Sequence, residues 1–588
     1  MAVYYVAGCR MPKKISALLA AVIAIAVFAV YLFKFNGKDE TIQAEEVKNA
    51  EPAQVTLPKS MAASNKISTE KKQKIKHIFR TKYTDAIDMD AWQYNKENGV
   101  YYQLGVLYVP NPADENYERL ALFVPEKFLT CSLNKTKKYT CVLHKLGEVG
   151  QYTVATAPIV VSIESEDYAA NPPLTEYRDF SVHTKKGHIY VHVGFRGIEY
   201  GAPAGLVDIK AAIRYIRRNK EKIPANTDRI FVSGMGSAGN LGSLIGVSAD
   251  SALFKPYLKA LGASDYVSDQ VHGVMVWSPI TGLDVANEAY EWNMGLTREN
   301  MSEQQQKLSQ KMAYEYAKFV NRAGFRDEYG KPLMLQYSNR GTYSEGTYYH
   351  YVKQIIEKSL NEFLISSTYP LSIDGKNLPA FLTEYSGYFI DQQRYLRRLN
   401  NKFNWIQYDN NTDKYVISSI EDFVRMMKPA TKPIGAFDAP KRDNTENLLF
   451  GTGDGNGKHF DQLMPKVLKN SPEAKKYTDD WFKPDAFGYS VQDRLNMYTP
   501  LYFVLPSYEG YNTTKVAPFW RVRSGISQTE TALVTEINLA LALVNYPAVK
   551  KVDFKVIWGQ SHVKAEEKQQ ESETMFSNWI DKVLHERR

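Results

Sequence analysis

Short apolar strands and amphipathic helices alternate through the middle of this chain, and the alternation limits the possible folds more than any other feature. A strand is predicted over 188–193 (HIYVHV), a helix over 205–219 and a second strand over 229–233 (RIFVS). A helix over 241–247 and a strand over 271–277 follow. Because strands joined through helices run parallel, the pattern predicts a doubly wound, mainly parallel sheet with helices on both faces.

This alternation is preceded by a β-rich region and interrupted by a long helical one. From Tyr101 the runs YYQLGVLYVP, ERLALFVPE, YTCVLHK and ATAPIVVSIES predict an antiparallel start to the sheet. Residues 284–498 are rich in helix formers, Tyr and charge, and the α/β pattern returns in 499–588. We interpret 284–498 as a large cap inserted into a core of 73–283 and 499–588. It would lie over the carboxyl edge of the sheet, where open α/β sheets bind ligands.

The N-terminal region carries an apolar run, Ile15–Phe33, that is long enough to cross a bilayer as a helix. Basic residues precede it, which predicts that the N-terminus stays inside. Its bulky end favours an uncleaved signal anchor over 1–35 rather than a cleaved signal peptide. Residues 36–72 are polar and predict a flexible linker. The rest of the chain is therefore expected outside the cytoplasm, anchored to the membrane by this segment or secreted if it is cleaved.

Composition narrows the class of protein. The 588 residues exceed the size of one hydrophobic core, and 44% hydrophobic with 23% charged residues is ordinary globular material. The net charge of +8 is small for this length, and no basic patch interleaved with aromatic residues is present. Nucleic acid is therefore not an expected partner.

Two of the three cysteines, Cys131 and Cys141, flank a polar turn. Outside the cytoplasm they would be able to close a hairpin by a disulfide, and two buried thiols are the alternative. The sequence leaves both states open.

The segment 228–246 (DRIFVSGMGSAGNLGSLIG) has the form strand, tight glycine turn, helix. This is the setting of a nucleophile elbow, in which the nucleophile sits on a strained turn between small neighbours. The helix N-terminus after such a turn presents backbone N–H groups to an oxyanion. A purely structural turn is the other interpretation of the glycines.

A histidine stands at the far end of the pattern. His562, in WGQSH, directly follows the last predicted strand, 552–558, and precedes a final amphipathic helix. This position matches the chain order nucleophile, acid, histidine that is typical of α/β-hydrolases.

Further motifs occur in order from about Tyr101 to the C-terminus. They are TAPIVV (156–161), VGFRG (193–197), APAGLVDIKAA (202–212), PYLKALGA (256–263), SPIT (278–281), AYEW (289–292), GAFD (435–438), ENLLFG (446–451), HFD (459–461) and FWRVRSG (519–525). Through these motifs the chain resembles the capped bacterial tannases and the related feruloyl esterases. The resemblance implies an α/β-hydrolase with a large inserted cap, a serine esterase acting on esters of phenolic acids such as gallic or ferulic acid, and no cofactor.

Two alignments with the family's elbow pattern, Gly-Thr-Ser-Ala-Gly-Gly, are possible. Without gaps, Gly236 occupies the nucleophile position. A shift by one residue makes Ser237 the nucleophile, but it needs compensating gaps and puts bulky Met235 where a small residue is expected. The gapless alignment therefore predicts a degenerate nucleophile position.

The family segment Asp-x-Asp-Thr corresponds to Gln528-Thr-Glu530-Thr here. The resemblance implies that the first position orients the histidine and the second contacts phenolic hydroxyls. Gln528 can hydrogen-bond a histidine but carries no charge to stabilise an imidazolium; a comparable Asp-to-Asn change costs about ten-thousandfold in rate. Glu530 either substitutes for the acid or contacts the ligand.

On the cap, the resemblance implies that Lys432 and Glu446 bracket the phenolic hydroxyls of the substrate. Two solvated surface charges are the alternative interpretation. His459 and Asp461 form a pair without a third ligand at suitable spacing, which predicts a hydrogen-bonding pair rather than a metal site.

Two functional hypotheses follow. In the first, Ser237 attacks an ester carbonyl and His562 acts as general base and then acid, oriented by Gln528 or Glu530. In the second, Gly236 and Gln528 mark a catalytically impaired hydrolase that binds a phenolic ester or phenolic acid, or a partner. A cell-envelope structural protein is a third, less specific possibility. The membrane would be contacted through the N-terminal segment only.

Overall fold

A computed structural model describes residues 83–338, 343–372, 389–452, 457–567 and 570–585. Within these ranges no helix combines the length and apolarity that a bilayer crossing requires. The anchor predicted over 1–35 and the linker predicted over 36–72 lie outside the described residues.

The strands are short and most are apolar. In chain order they are β1 (Gln93–Asn95), β2 (Val100–Leu107), β3 (Arg119–Pro125), β4 (Leu129–Leu133), β5 (Tyr139–Leu143), β6 (Glu148–Val149), β7 (Tyr152–Thr153), β8 (Ile159–Ser162), β9 (Ile189–Val193), β10 (Ile230–Met235), β11 (Gly273–Trp277), β12 (Leu371–Ser372), β13 (Phe389–Ile390), β14 (Ile406–Asp409), β15 (Lys414–Ile417), β16 (Phe519–Gly525) and β17 (Lys551–Ile557).

The helices separate or follow these strands. In chain order they are α1 (Ser181–Thr184), α2 (Ala204–Arg218), α3 (Gly236–Val247), α4 (Lys255–Ala260), α5 (Ala286–Met294), α6 (Glu303–Ala323), α7 (Thr347–Ser366), α8 (Gln392–Leu399), α9 (Ile420–Met427), α10 (Thr445–Gly451), α11 (Met464–Val467), α12 (Pro472–Trp481), α13 (Val491–Met497), α14 (Pro500–Val504), α15 (Leu533–Val544) and α16 (Ser572–His585).

A nine-stranded sheet in the order β1-β2-β3-β9-β8-β10-β11-β16-β17 forms the base of the fold. From β9 to β17 every neighbouring pair is parallel, whereas β1, β2, β3 and β9 pair antiparallel. The predicted doubly wound, mainly parallel sheet is therefore confirmed, and β10 lies near its centre.

Alternate residues of the strands face opposite helix layers, as the twofold period of a strand requires. In β10, Phe231 packs against Trp579 of α16 with ring centroids 5.7 Å apart. Its neighbour Val232 belongs to the hydrophobic core of the other face, which also contains residues of α2, α3 and α15. Because both faces of the sheet are buried, the sequences of the central strands are nearly continuous apolar runs.

The region between β11 and β16 contributes no strand to this sheet. Its described residues form the helices α5 to α14 and two small hairpins, β12–β13 and β14–β15. This is the region predicted as the cap, and its predicted bounds of 284 and 498 remain predictions.

The predicted antiparallel start is correct for β2 and β3 but wrong for two of the four runs. ATAPIVVSIES forms β8, which pairs in parallel with β9 and β10 in the middle of the sheet. YTCVLHK forms β5, which leaves the sheet and pairs with β4 in a separate hairpin. Cys131 and Cys141 face each other across this hairpin and are bonded, with an S–S distance of 2.04 Å. Of the two states left open for these cysteines, the structure has the disulfide.

Candidate active site

The site begins at the turn between β10 and α3. Gly236 has a φ of +58°, in the left-handed region that favours glycine. Two residues earlier, a side chain on Gly234 would collide with the carbonyl oxygen of Ala238, so the turn is too tight for anything larger. The backbone of Gly236 is also fixed, because its carbonyl accepts a hydrogen bond from the N–H of Ile280 at 3.0 Å. A tight strand-to-helix turn with a positive φ at its apex has the geometry of a nucleophile elbow.

Gly236 lies directly opposite His562. A Cβ atom built on Gly236 would lie 3.0 Å from His562 Nε2. In a serine hydrolase the nucleophile's side chain occupies this position and hydrogen-bonds the same nitrogen. The gapless alignment puts residue 236 at the nucleophile position. This residue faces the imidazole, and as a glycine it has no side chain.

Ser237 is in the first turn of α3, and its hydroxyl is directed elsewhere. Its Oγ donates a hydrogen bond to the backbone carbonyl of Ser165 at 3.0 Å, which ties α3 to the loop after β8. The side chain is buried, and no hydrogen bond joins it to His562 in the described part of the chain. The arrangement required by the shifted alignment, with Ser237 facing the imidazole, is not the one observed.

His562 follows β17 and is held in a largely dehydrated environment. Burial lowers its pKa below the ordinary value, and Glu530 acts in the opposite direction while Lys428 and Lys432 add to the lowering. Its Nδ1 is buried and has no hydrogen-bond partner among the described residues. The imidazole is therefore neutral at neutral pH, and no acid fixes its tautomer.

Gln528, at the position of the expected acid, hydrogen-bonds Thr531 and Glu536 and not the histidine. Its Nε2 donates to Thr531 Oγ1 at 2.5 Å and to Glu536 Oε1 at 2.9 Å. Its Oε1 accepts from the N–H of Thr531 at 3.0 Å. These partners are buried, and among the described residues no hydrogen bond joins Gln528 to His562, so Gln528 supports the structure next to the site.

Sequence reasoning missed two charged residues beneath the site, Lys428 and Glu536. Both are buried; burial lowers the pKa of Lys428 to about 7 and raises the pKa of Glu536, and each opposes the shift of the other. One signal was available in the sequence, since Glu536 is the single charged residue of the apolar helix LVTEINLALALV. The end of α9 offered no comparable signal for Lys428.

The charged residues expected to contact the ligand lie on the cap side. Lys432 Nζ is 3.3 Å from Glu530 Oε2 and 4.5 Å from the ring centroid of Phe437. Glu446 is 5% exposed, and burial raises its pKa to about 7; Lys432 opposes the rise, and Asp167 and Glu530 add to it. These groups offer a cation, an anion and a carboxyl that is partly protonated at neutral pH.

One cavity of about 1020 Å³ is lined both by the turn with its facing histidine and by the charged residues on the cap side. Six of the seven residues predicted for the site line it, namely Gly236, Ser237, Lys432, Glu446, Glu530 and His562, and Gln528 does not. The walls between them include Ile163, Ala170, Ile280, Pro433 and Ala436. Polar and charged side chains make up most of the remaining lining, among them Glu164, Glu166, Asp167 and Lys564. A concave cavity of this volume with convergent polar groups is typical of a small-molecule site.

The pair His459 and Asp461 lies in a buried hydrogen-bond network. His459 Nδ1 is 2.7 Å from Asp438 Oδ1, and Asp461 Oδ1 accepts from the N–H of Leu463 at 2.8 Å. Among the described residues, no group of three or more potential ligands is arranged to hold a metal ion. Both residues are hydrogen-bonded, but to other groups; the cited bonds do not join the two as a pair.

Comparison with known proteins agrees with this fold. The BD-FAE family model matches residues 151–339. The structure of a Fusobacterium nucleatum tannase is similar with a TM-score of 0.65 at 23% identity, over 85% of this chain and 100% of that one. Native tannin acyl hydrolase from Lactobacillus plantarum gives a TM-score of 0.65 at 22% identity, over 85% and 99%. A tannin acyl hydrolase in complex with 3,4-dihydroxybenzoate gives 0.63 at 22%, over the same shares. No curated protein sequence matches the chain.

Proposed function

For this tannase- and feruloyl-esterase-like α/β-hydrolase, we propose that the cavity binds hydroxylated aromatic esters or acids without forming a serine acyl-enzyme. The observation that carries the proposal is the contact between Gly236 and His562. A Cβ atom at residue 236 would lie 3.0 Å from Nε2 of His562, so the imidazole faces a residue that has no hydroxyl group.

Covalent ester hydrolysis needs a nucleophilic oxygen in hydrogen-bond reach of the histidine, and an acid that stabilises the imidazolium. Neither requirement is met by the arrangement described above. Ser237 Oγ is engaged with Ser165, and Gln528 is uncharged and engaged with Thr531 and Glu536. Without the triad, a serine hydrolase retains only about 10³–10⁴-fold acceleration over water.

Recognition of a phenolic ring is supported by the cap side of the cavity. An ammonium and a carboxylate beside apolar walls donate to and accept from phenolic hydroxyls through charge-assisted hydrogen bonds. Lys432, Glu530 and Glu446 supply these groups, and the cavity is large enough for a drug-sized ligand. The similar tannin acyl hydrolase was solved with 3,4-dihydroxybenzoate, a ring of the proposed class.

Calorimetry with the purified full-length chain tests the proposal. We expect saturable binding of methyl gallate, which Lys432→Met weakens about tenfold because a charge-assisted hydrogen bond is lost. Lys466→Met, a matched change at an exposed residue of α11, is the control and leaves binding unaltered. A fluorophosphonate probe is expected to label no serine. Labelling of a serine, together with loss of ester hydrolysis in Ser237→Ala, would contradict the proposal.

A further inference from the structure

Glycine at 236 leaves the Nε2 atom of His562 without a side chain against it. A water molecule bound to Nε2 would lie beside the Cα atom of Gly236, on the side of the cavity that both residues line. Since a Cβ atom would lie 3.0 Å from Nε2, a small group there is within hydrogen-bond reach of the imidazole. Both residues line the cavity, so a bound ester has access to the same space.

We infer that His562 acts as a general base on water directly, so that this site hydrolyses its ester slowly in one step, without a covalent intermediate. This activity goes beyond the proposed binding function and uses the same cavity. His562 would then be the catalytic residue, and Gly236 would be required for the absence of its side chain.

The state of His562 is compatible with this role. The imidazole is neutral at neutral pH, and its Nε2 faces the position of the missing side chain. The charged groups that act on it are Glu530 and Asp167, which favour protonation, and Lys428 and Lys432, which oppose it. Because Nδ1 has no acceptor within the described part of the chain, no such residue fixes the tautomer with a lone pair on Nε2, and we expect a slow reaction.

Backbone amides supply the complementary oxyanion site. The N–H groups in the first turn of α3, Ser237 among them, have no partner within the helix. On the opposite wall, the N–H of Ile163 donates to the carbonyl of Ser233 at 2.8 Å and is not available. Glu164 and Ser165, the next residues of the cavity wall, are the remaining candidates for a second donor.

The step balances without a cofactor. The water oxygen forms a bond to the ester carbonyl carbon as one water proton moves to His562 Nε2, giving a tetrahedral oxyanion held by the amides. Collapse re-forms the carbonyl and breaks the bond to the alcohol oxygen, which takes the proton from Nε2. The products are the acid and the alcohol, and the neutral imidazole is restored.

Kinetics of the full-length chain with 4-nitrophenyl acetate and methyl gallate test the inference. We expect linear nitrophenol release without a burst, and a rate that rises as His562 loses its proton, with a midpoint below pH 6.5. His562→Gln is expected to lower the rate about a hundredfold. Gly236→Ala is expected to lower it about tenfold, because its methyl group takes the place of the water. His350→Ala, at an exposed residue of α7, is the control for nonspecific imidazole catalysis and leaves the rate unchanged.

Each result has a defined meaning. A burst of nitrophenol, or an undiminished rate in His562→Gln, overturns the inference. Because Gly236→Ala strains the backbone, its methyl gallate binding and melting temperature are measured too; a reduced rate counts as support only when both are kept. Binding of methyl gallate with no hydrolysis above the His562→Gln background overturns the inference and leaves the proposed function intact. If the chain hydrolyses 4-nitrophenyl acetate through His562 but does not bind methyl gallate, the inference is supported and the proposed function is overturned.

Discussion

The two ends of the cavity differ in how much of an ester hydrolase each retains. At the sheet end, Gly236 is at the position where the resemblance predicts a nucleophile, and His562 faces it. Gln528, at the predicted acid position, does not line the cavity. At the cap end, Lys432 and Glu446 line the cavity, and Glu530, from the loop after β16, reaches Lys432 there. Under the proposed function, the cap end binds the ligand while the sheet end lacks the groups for covalent catalysis, although both lie in one cavity. Experiments that alter one end and read out the other test this separation.

The largest effect is expected from restoring a nucleophile at the sheet end. Gly236→Ser places a hydroxyl opposite His562 Nε2, and its Cβ fits if the imidazole recedes by a few tenths of an ångström. We expect a burst of nitrophenol from 4-nitrophenyl acetate, labelling by fluorophosphonate, and a rate raised about a hundredfold over the unmodified chain.

The gain should leave the cap end unaffected, so the affinity for methyl gallate stays within about twofold. Gly236→Ala has the same backbone strain without the hydroxyl and is the matched control. If Gly236→Ser gains no burst but keeps its fold and its ligand affinity, the missing acid limits the reaction as well as the missing nucleophile. A serine at 236 that fluorophosphonate also fails to label in Gly236→Ser/Gln528→Asp, with fold and affinity kept, contradicts the assignment of residue 236 to the nucleophile position.

A smaller effect is expected at Gln528, and it should appear in stability rather than in catalysis. Gln528→Leu removes the hydrogen bonds to Thr531 and Glu536 and leaves buried partners unsatisfied, which costs on the order of 1–3 kcal/mol of unfolding free energy. Hydrolysis and ligand binding per folded molecule should change by less than about twofold, because Gln528 does not line the cavity and its hydrogen bonds go to Thr531 and Glu536. Urea denaturation measures the first quantity and initial rates measure the second.

Gln528→Glu is the isosteric comparison, and we expect it to be more destabilising than Gln528→Leu because it sets a carboxylate against buried Glu536. A large loss of rate in Gln528→Leu with stability unchanged would mean that Gln528 orients His562 in solution. The distinction between supporting and reacting residues at the sheet end would then be wrong.

These residues also show what the sequence can and cannot predict. The alternation of strand and helix, the elbow at 228–246 and the position of His562 after the last strand follow from local periodicity and spacing, and the structure has the elements where they were expected. Whether Gly236 or Ser237 faces the imidazole depends on one φ angle and on a contact with a residue more than three hundred positions later. Gln528 is oriented by its hydrogen bond to Glu536, and the buried Lys428 interacts electrostatically with the same residue. Neither contact can be predicted from a local sequence pattern.

The smallest effect is expected at the cap end, where Glu446 links ligand affinity to pH. Burial raises its pKa to about 7, so between pH 6 and 8 the carboxyl changes from mostly protonated to mostly ionised. A phenolic hydroxyl donates more strongly to a carboxylate than to a carboxylic acid. The ligand therefore favours the ionised form, and affinity for methyl gallate should rise several-fold over this range, as titration calorimetry would measure.

Stability without ligand should respond to pH in the opposite direction. The folded state binds the Glu446 proton more tightly than the unfolded state does, so this contribution to stability is full below pH 4.5 and is lost as pH rises through about 7. Glu446→Gln should flatten the affinity profile and remove the Glu446 contribution from the stability profile. Lys428, whose pKa is also about 7, is still present in that variant but does not line the cavity. If the affinity of Glu446→Gln still depends on pH, the titrating group lies at the sheet end and not at the cap end. Such a result would show that the two ends are coupled and not separate.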